Sequence, residues 1–155
     1  MDFGIALPTA ADSWKAAKEA EELGFTHAWF YDTQMLSADC FVAMGAAAVN
    51  TRRIRLGTGV LVPSNRIAPV AANALASLNK LAPGRIDFGV GTGFTARRAM
   101  GFGAIKIKAM EAYIRQVYGH TWDLPGHYDL VLDTGRLGYD ATVEAILAAL
   151  KGRNS

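Results

Sequence analysis

The feature that most constrains the fold is a repeated pattern in which a short apolar stretch is followed by a helical pattern. Four such units begin near Phe3, Thr26, Ile54 and Ile86, with a period of roughly 25 to 32 residues. Repeats of this kind build parallel sheets, because each helix carries the chain back to the same end of the sheet. The sequence therefore predicts an α/β protein of parallel βα repeats with its helices outside the sheet.

The third unit contains the most apolar strand pattern. Residues 53–64 have the sequence Arg-Ile-Arg-Leu-Gly-Thr-Gly-Val-Leu-Val-Pro-Ser, which is typical of a strand buried on both faces. We predict a central strand here, ended by Pro63. Gly57 and Gly59 lie near its carboxyl end, where a position without a side chain lets a flat ligand approach closely. Because parallel α/β proteins bind ligands at this end of their strands, the pattern predicts the floor of a site.

Two architectures fit a parallel βα repeat: part of a (βα) barrel, and an open doubly wound sheet. The open sheet usually carries a Gly-x-Gly-x-x-Gly turn after its first strand. This chain has Ala-Leu-Pro-Thr at residues 6–9 instead. A complete TIM barrel needs about 250 residues, whereas the chain has 155. We therefore predict a partial TIM barrel, a half-barrel of four to five βα units.

Composition and charge exclude several classes of function. The chain is 51% hydrophobic and its formal net charge is +2, with scattered basic residues; no nucleic-acid partner is expected. Cys40 is the only cysteine, which rules out an internal disulfide and a cysteine metal cluster, and we expect no metal. A basic leader and an apolar run of about 18 residues are both missing, so we expect no membrane association and a cytoplasmic protein.

Three stretches carry a resemblance to a known family. They are Gly-Phe-Thr-His-Ala-Trp-Phe-Tyr-Asp at residues 24–32, Thr-Arg-Arg-Ile-Arg-Leu-Gly-Thr-Gly-Val at residues 51–60, and Leu-Ala-Pro-Gly-Arg at residues 81–85 leading to Gly-Val-Gly-Thr-Gly at residues 89–93. In this order and spacing they resemble the amino-terminal half of the bacterial luciferase-like monooxygenases, over about residues 1–118. The resemblance implies an oxidoreductase on a TIM barrel that uses FMN or a deazaflavin (coenzyme F420) on a small-molecule substrate.

The resemblance also implies which residues form the site. Gly59 and Val60 correspond to a bulged third strand, where a cis peptide bond backs the flavin ring, and Asp32 corresponds to a polar position near ring and substrate. Asp32 is thus the catalytic candidate. Candidates for cofactor binding are Thr58, Gly59, Val60, Gly91, Thr92 and Gly93. Structural alternatives stay open, because Asp32 can equally satisfy loop amides and the glycines can serve turns or close packing.

The carboxyl-terminal part departs from the family pattern. Residues 128–137 and a helical pattern over residues 141–150 resemble the last strand and helix of cytidylate-kinase-like phosphotransferases. The chain has no Gly-x-x-x-x-Gly-Lys-Ser/Thr phosphate loop, so kinase chemistry is disfavoured. We predict a luciferase-like half-barrel at residues 1–119 and an additional strand–helix tail, of foreign origin, at residues 120–155.

Three functional hypotheses follow from these patterns. The first is a flavin- or deazaflavin-dependent oxidoreductase that is truncated and of impaired activity. The second is a catalytically inactive half-barrel that folds as an oligomer, and the third, least favoured, is a nucleotide-binding module inherited with the tail. Half a barrel leaves open sheet edges and an inner face that we expect to be rich in Ile, Val and Phe, so we predict a homodimer.

Overall fold

The computed structural model describes residues 2–118, together with residues 141, 143–145 and 148. The chain forms two compact units, Met1–His120 and Thr121–Ser155. In the second unit the described residues are helical. The tail strand predicted within residues 128–137 and the resemblance to kinases that rests on it lie outside the described residues.

The first unit alternates strands and helices. It contains β1 (Gly4–Leu7), α1 (Trp14–Glu22), β2 (His27–Phe30), α2 (Cys40–Asn50), β3 (Arg55–Leu61), α3 (Ala68–Leu81), β4 (Ile86–Val90), α4 (Phe94–Ala99) and α5 (Ile107–Tyr118). All four strands pair in parallel, in the order β1-β2-β3-β4. Neighbouring strands that follow the chain order belong to a barrel, since a doubly wound sheet reverses its order at a switch point. Within the described residues, no helix is long and apolar enough to cross a bilayer.

One face of the sheet packs against the helices and forms the core. Alternate strand residues such as Leu7, Phe30, Leu56 and Leu61 are buried there, with Phe88 packed against them. The helices contribute mostly small side chains to the same cluster: Ala17, Ala20, Cys40, Ala43, Met44, Ala47, Ala48, Ala71 and Leu78. Small side chains allow helices to lie close to a sheet, so this layer fixes the strands on which the site is built.

The opposite, inner face of the sheet was expected to be rich in Ile, Val and Phe, and that expectation is wrong. The Trp29 ring lies across Gly57, where an added Cβ would overlap it, and His27 stacks on Trp29 with ring centroids 5.9 Å apart. Arg55 pairs with Asp87 through bonds of 2.9 and 2.5 Å. The aliphatic strand residues turn to the helices instead, which leaves this face to glycine, one large ring and an ion pair.

Glu21, at the end of α1, fastens that helix to the start of β3. Its carboxylate accepts hydrogen bonds from the backbone amides of Arg52 at 3.0 Å, Arg53 at 2.5 Å and Ile54 at 2.8 Å. Burial opposes its ionisation, but the three amides outweigh burial and hold the pKa of Glu21 below its ordinary value.

The stabilisation from Glu21 is expected to disappear in acid. Because the pKa of Glu21 is lower in the folded protein than its ordinary value of 4.5, its contribution to stability is complete above pH 4.5. The contribution is lost as pH falls through the folded pKa. Glu21→Gln should lower the free energy of unfolding by about 2 kcal/mol near neutral pH and flatten its dependence on pH in acid. Urea unfolding at neutral and acid pH measures both effects, with the exposed Glu22→Gln as control. The same pH dependence in Glu21→Gln as in the wild type would contradict this account.

Candidate functional site

A cleft of about 340 Å³ opens at the carboxyl ends of β2, β3 and β4. Six of the seven predicted site residues line it: Asp32, Gly59, Val60, Gly91, Thr92 and Gly93. Two larger hollows exist among the described residues, of about 570 Å³ beside α3 and α5 and of about 550 Å³ at the amino ends of the strands. We take the smaller cleft as the site, because parallel barrels bind ligands at the carboxyl ends of their strands.

The floor of the cleft is the peptide bond between Gly59 and Val60, which is cis. The pairing of β3 with β4 shifts register between Thr58 and Leu61, so the strand bulges at this point as the resemblance implies. An added Cβ at Gly59 would lie 3.0 Å from the Cβ of Trp29, which supports the floor from the inner face. Val60 is 39% exposed and meets the cleft.

Gly91 and Gly93 form a wall of the cleft, and each has a packing reason to be glycine. An added Cβ at Gly91 would lie 2.6 Å from Cγ2 of Val60. Gly93 has a φ of +67°, and a Cβ there would overlap the side chain of Val62. The structural alternative for these glycines is therefore supported. The same close packing brings the wall directly against the Gly59–Val60 floor.

Thr58 is the one predicted cofactor contact that does not line the cleft. Thr58 is fully buried. Its hydroxyl donates a hydrogen bond to the Gly89 carbonyl at 2.7 Å and accepts one from the Gly89 amide at 3.2 Å. The side chain is enclosed because it fills the irregular ladder between β3 and β4. Thr58 therefore supports the floor from below.

Asp32 borders the cleft, yet its carboxylate is 0% exposed. Nη1 of Arg66 donates to its two oxygens at 2.7 and 2.8 Å, and the Val62 amide donates to Oδ2 at 3.1 Å. Gln34 Nε2 at 2.5 Å and the Cys40 thiol at 3.5 Å donate to Oδ1. This arrangement supports the structural alternative for Asp32, because both of its oxygens are already engaged. Its catalytic role stays a prediction.

Arg66 is a residue that the sequence analysis missed. Its side chain is 13% exposed and bridges Asp32 to Asp39, whose Oδ2 lies 2.6 Å from Nη2. Burial opposes the charge of Arg66, but the two carboxylates outweigh burial and raise its pKa above the ordinary value. Burial likewise opposes ionisation of Asp39, but the hydrogen bond and charge of Arg66 together with two backbone amides outweigh burial, so the pKa of Asp39 is lowered. The sequence held a signal for this bridge, namely two aspartates after β2 and an arginine after β3. The loops that follow these strands meet at the same end of a parallel sheet.

Asp39 also begins α2, and it places Cys40 against the network. Its Oδ1 accepts hydrogen bonds from the amides of Phe41 at 2.9 Å and Val42 at 3.1 Å, which satisfies the first turn of the helix. Cys40 follows and is fully buried. Burial, and then the charge of Asp32, raise the pKa of Cys40 to about 12, so its thiol stays protonated.

Hydroxyl groups and one aromatic ring complete the cleft. Thr33, Thr92 and Thr95 line it with side chains that donate and accept hydrogen bonds, and Phe94 is a largely exposed ring among the same lining residues. In the part of the chain that the structure describes, no group of three or more His, Cys, Asp or Glu residues is placed to hold a metal ion. The described lining of the cleft therefore combines hydrogen-bonding hydroxyls with an apolar ring.

Comparison with known proteins gives three informative similarities. A family model described as luciferase-like monooxygenase matches residues 3–118. The 5,10-methylenetetrahydromethanopterin reductase of Methanolobus tindarius is 36% identical over 96 residues, which cover 60% of this chain and 29% of that protein. The F420-dependent glucose-6-phosphate dehydrogenase of Beutenbergia cavernae is 51% identical over 57 residues, which cover 36% of this chain and 17% of that protein.

The fold has a solved counterpart. The structure of the coenzyme F420 dependent tetrahydromethanopterin reductase from Methanopyrus kandleri aligns with a TM-score of 0.58 at 30% identity, covering 66% of this chain and 30% of that one. The match therefore spans less than a third of the length of each of these relatives. The residues that the family model matches include all those that line the cleft.

Proposed function

The chain belongs to the luciferase-like monooxygenase family, and from this premise we propose that it is an oxidoreductase whose cleft seats the ring of a flavin or deazaflavin. The family resemblance and the partial TIM barrel of parallel βα units are both confirmed. The activity, the cofactor and the small-molecule substrate are our proposal, because the chain matches only part of its relatives.

The observation that carries the proposal is the placement of the Gly59–Val60 peptide on the floor of the cleft, beside Gly91 and Gly93. The peptide planes of this backbone are flat, and the packing of Gly91 against Val60 and of Gly93 against Val62 brings them together as one surface on which a planar ring can lie. The residues present therefore fit such a group. When bound, a flavin or deazaflavin supplies the hydride or oxygen chemistry.

The chain's own contribution is to orient the ring. The hydroxyls of Thr33, Thr92 and Thr95 suit hydrogen bonds to the polar edge of a ring, whereas Val60 and Phe94 offer apolar contact. Coenzyme F420 is proposed ahead of FMN, because the names of the relative at 51% identity and of the solved reductase specify F420. FMN is the alternative that the family as a whole allows.

Titration of the purified protein with F420 and with FMN, followed by ligand fluorescence, tests this function. We expect saturable binding, tighter for F420. Asp32→Asn should weaken it about tenfold through loss of position, whereas Asp12→Asn, at an exposed carboxylate, should leave it unchanged. Unchanged binding in Asp32→Asn together with lost hydride transfer would assign Asp32 a chemical role. Absence of binding to the wild type would refute the proposal.

A second candidate function is a catalytically inactive half-barrel that assembles as a homodimer. It is favoured by the described sheet, in which β1 and β4 are the outer strands and the inner face carries the half-buried Trp29 and His27. A second copy whose sheet meets β1 and β4 would cover the open edges and enclose this face. Light scattering beside the titration separates the two candidates, because inactive assembly requires a dimer that binds neither ligand.

A further inference from the structure

Arg66 connects segments that follow two different strands. Its Nη1 lies 2.7 and 2.8 Å from the carboxylate oxygens of Asp32, just after β2, and its Nη2 lies 2.6 Å from Asp39 at the start of α2. The guanidinium also lies over the ring of Phe41, 4.8 Å from its centroid. A guanidinium that is held by two carboxylates and one ring has a fixed position, so the segment after β3 is fixed relative to α2.

The other side of this network reaches the floor of the cleft. Asp32 accepts a hydrogen bond at 3.1 Å from the amide of Val62, two residues beyond the Gly59–Val60 peptide. Gln34 donates to Asp32 and accepts from Asn65. The segment that leaves β3 is therefore tied at three successive points, Val62, Asn65 and Arg66, to the segment that leaves β2.

We propose that Arg66 is a positioning residue for ring binding, which holds the Gly59–Val60 floor in place through Asp32 and the Val62 amide. This inference rests on the proposed function of the cleft. Arg66 is not among the residues that line the cleft, so it acts on a ligand only through the backbone that it holds. When a group that positions a reacting ligand is misplaced by about 1 Å, the rate of the reaction can fall by up to about a hundredfold.

Cys40 provides a readout of this network that does not depend on activity. It is the only cysteine of the chain, it is fully buried, and its thiol lies 3.5 Å from Asp32. Labelling by an aromatic disulfide reagent requires the network to open. If closing the network raises the affinity for the ring, then the bound ring must shift the network toward its closed state by the same factor. Coupling between two equilibria is reciprocal in this way.

The experiment compares two substitutions of Arg66 with a matched control. Arg66→Lys keeps the charge but cannot bridge Asp32 and Asp39 with a planar fork, and Arg66→Met removes the charge. Arg55→Met is the control, because it breaks another arginine–aspartate pair at the opposite end of β3.

We expect F420 to bind about tenfold more weakly to Arg66→Lys, and more weakly still to Arg66→Met. Labelling of Cys40 should be about tenfold faster in Arg66→Lys, and F420 should slow labelling of the wild type. Arg55→Met should keep the wild-type affinity and labelling rate even if its melting temperature falls.

Equal F420 affinity in Arg66→Lys and the wild type would overturn the inference and leave the proposed function intact. Labelling of wild-type Cys40 that saturating F420 does not slow would overturn it as well. A wild type that binds neither F420 nor FMN would overturn the proposed function and the inference with it. Arg66→Lys decides the question if Arg66→Met does not fold, because the lysine leaves no uncompensated buried carboxylate.

Discussion

Gly59→Val is expected to weaken F420 binding by about a hundredfold while the protein still folds. A side chain at Gly59 has to enter the space between β3 and Trp29, where even a Cβ would lie 3.0 Å from the Trp29 Cβ and 3.7 Å from its backbone carbon. The strand must therefore move, and the peptide that forms the floor moves with it. We expect a cost in stability of about 1–3 kcal/mol, as for other overpacked sites. Ligand titration and thermal unfolding measure the two effects.

Gly103→Val is the matched control for this substitution. Nothing lies within 4 Å of a Cβ added at Gly103, so the same change of side chain should affect neither binding nor stability. If Gly59→Val binds F420 as the wild type does, the ring does not rest on this peptide.

Gly89→Ala is expected to destabilise the protein by about 3 kcal/mol. A Cβ at Gly89 would overlap the carbonyl oxygen of Thr58, which is backbone and cannot rotate away. The Thr58 hydroxyl also bonds both the amide and the carbonyl of Gly89, so any movement of β4 breaks these bonds. Urea unfolding monitored by circular dichroism measures the loss.

The control for Gly89→Ala is Gly45→Ala, in α2. A Cβ at Gly45 would meet only Leu78, at an ordinary distance of 3.8 Å, and alanine favours a helix over glycine. Gly45→Ala should leave stability unchanged or raise it. A loss below about 1 kcal/mol in Gly89→Ala would show that β3 and β4 tolerate separation at this point.

The sequence predicted the parts of the fold that depend on local patterns. The four βα units of residues 2–118 appear in place, because apolar strand patterns and helical spacing are set by neighbouring residues. The cleft was located by a different route, since only the resemblance to a family implied the cis peptide at Gly59–Val60 and the wall from Gly91 to Gly93. Periodicity by itself indicated a site at the carboxyl ends of the strands and no more.

Long-range contacts account for what the sequence analysis missed. Glu21 meets the amides of residues 52–54, and Arg66 meets Asp32, across more than 30 positions of the chain. The inner face was misjudged for a related reason. Gly57 looked like a site residue, whereas its neighbour Trp29 needs that space for its ring. Such pairings emerge only once the register of β2 with β3 is known.

Amide hydrogen exchange of the wild type, with and without saturating F420, tests most directly whether this cleft seats the ring. We expect slower exchange in residues 59–62 and 91–95, which line or flank the cleft. Residues 24–27 and 53–55, at the amino ends of the strands, should exchange at the same rate with and without F420. Protection at the amino ends, with none in residues 59–62 and 91–95, would contradict the assignment of the site.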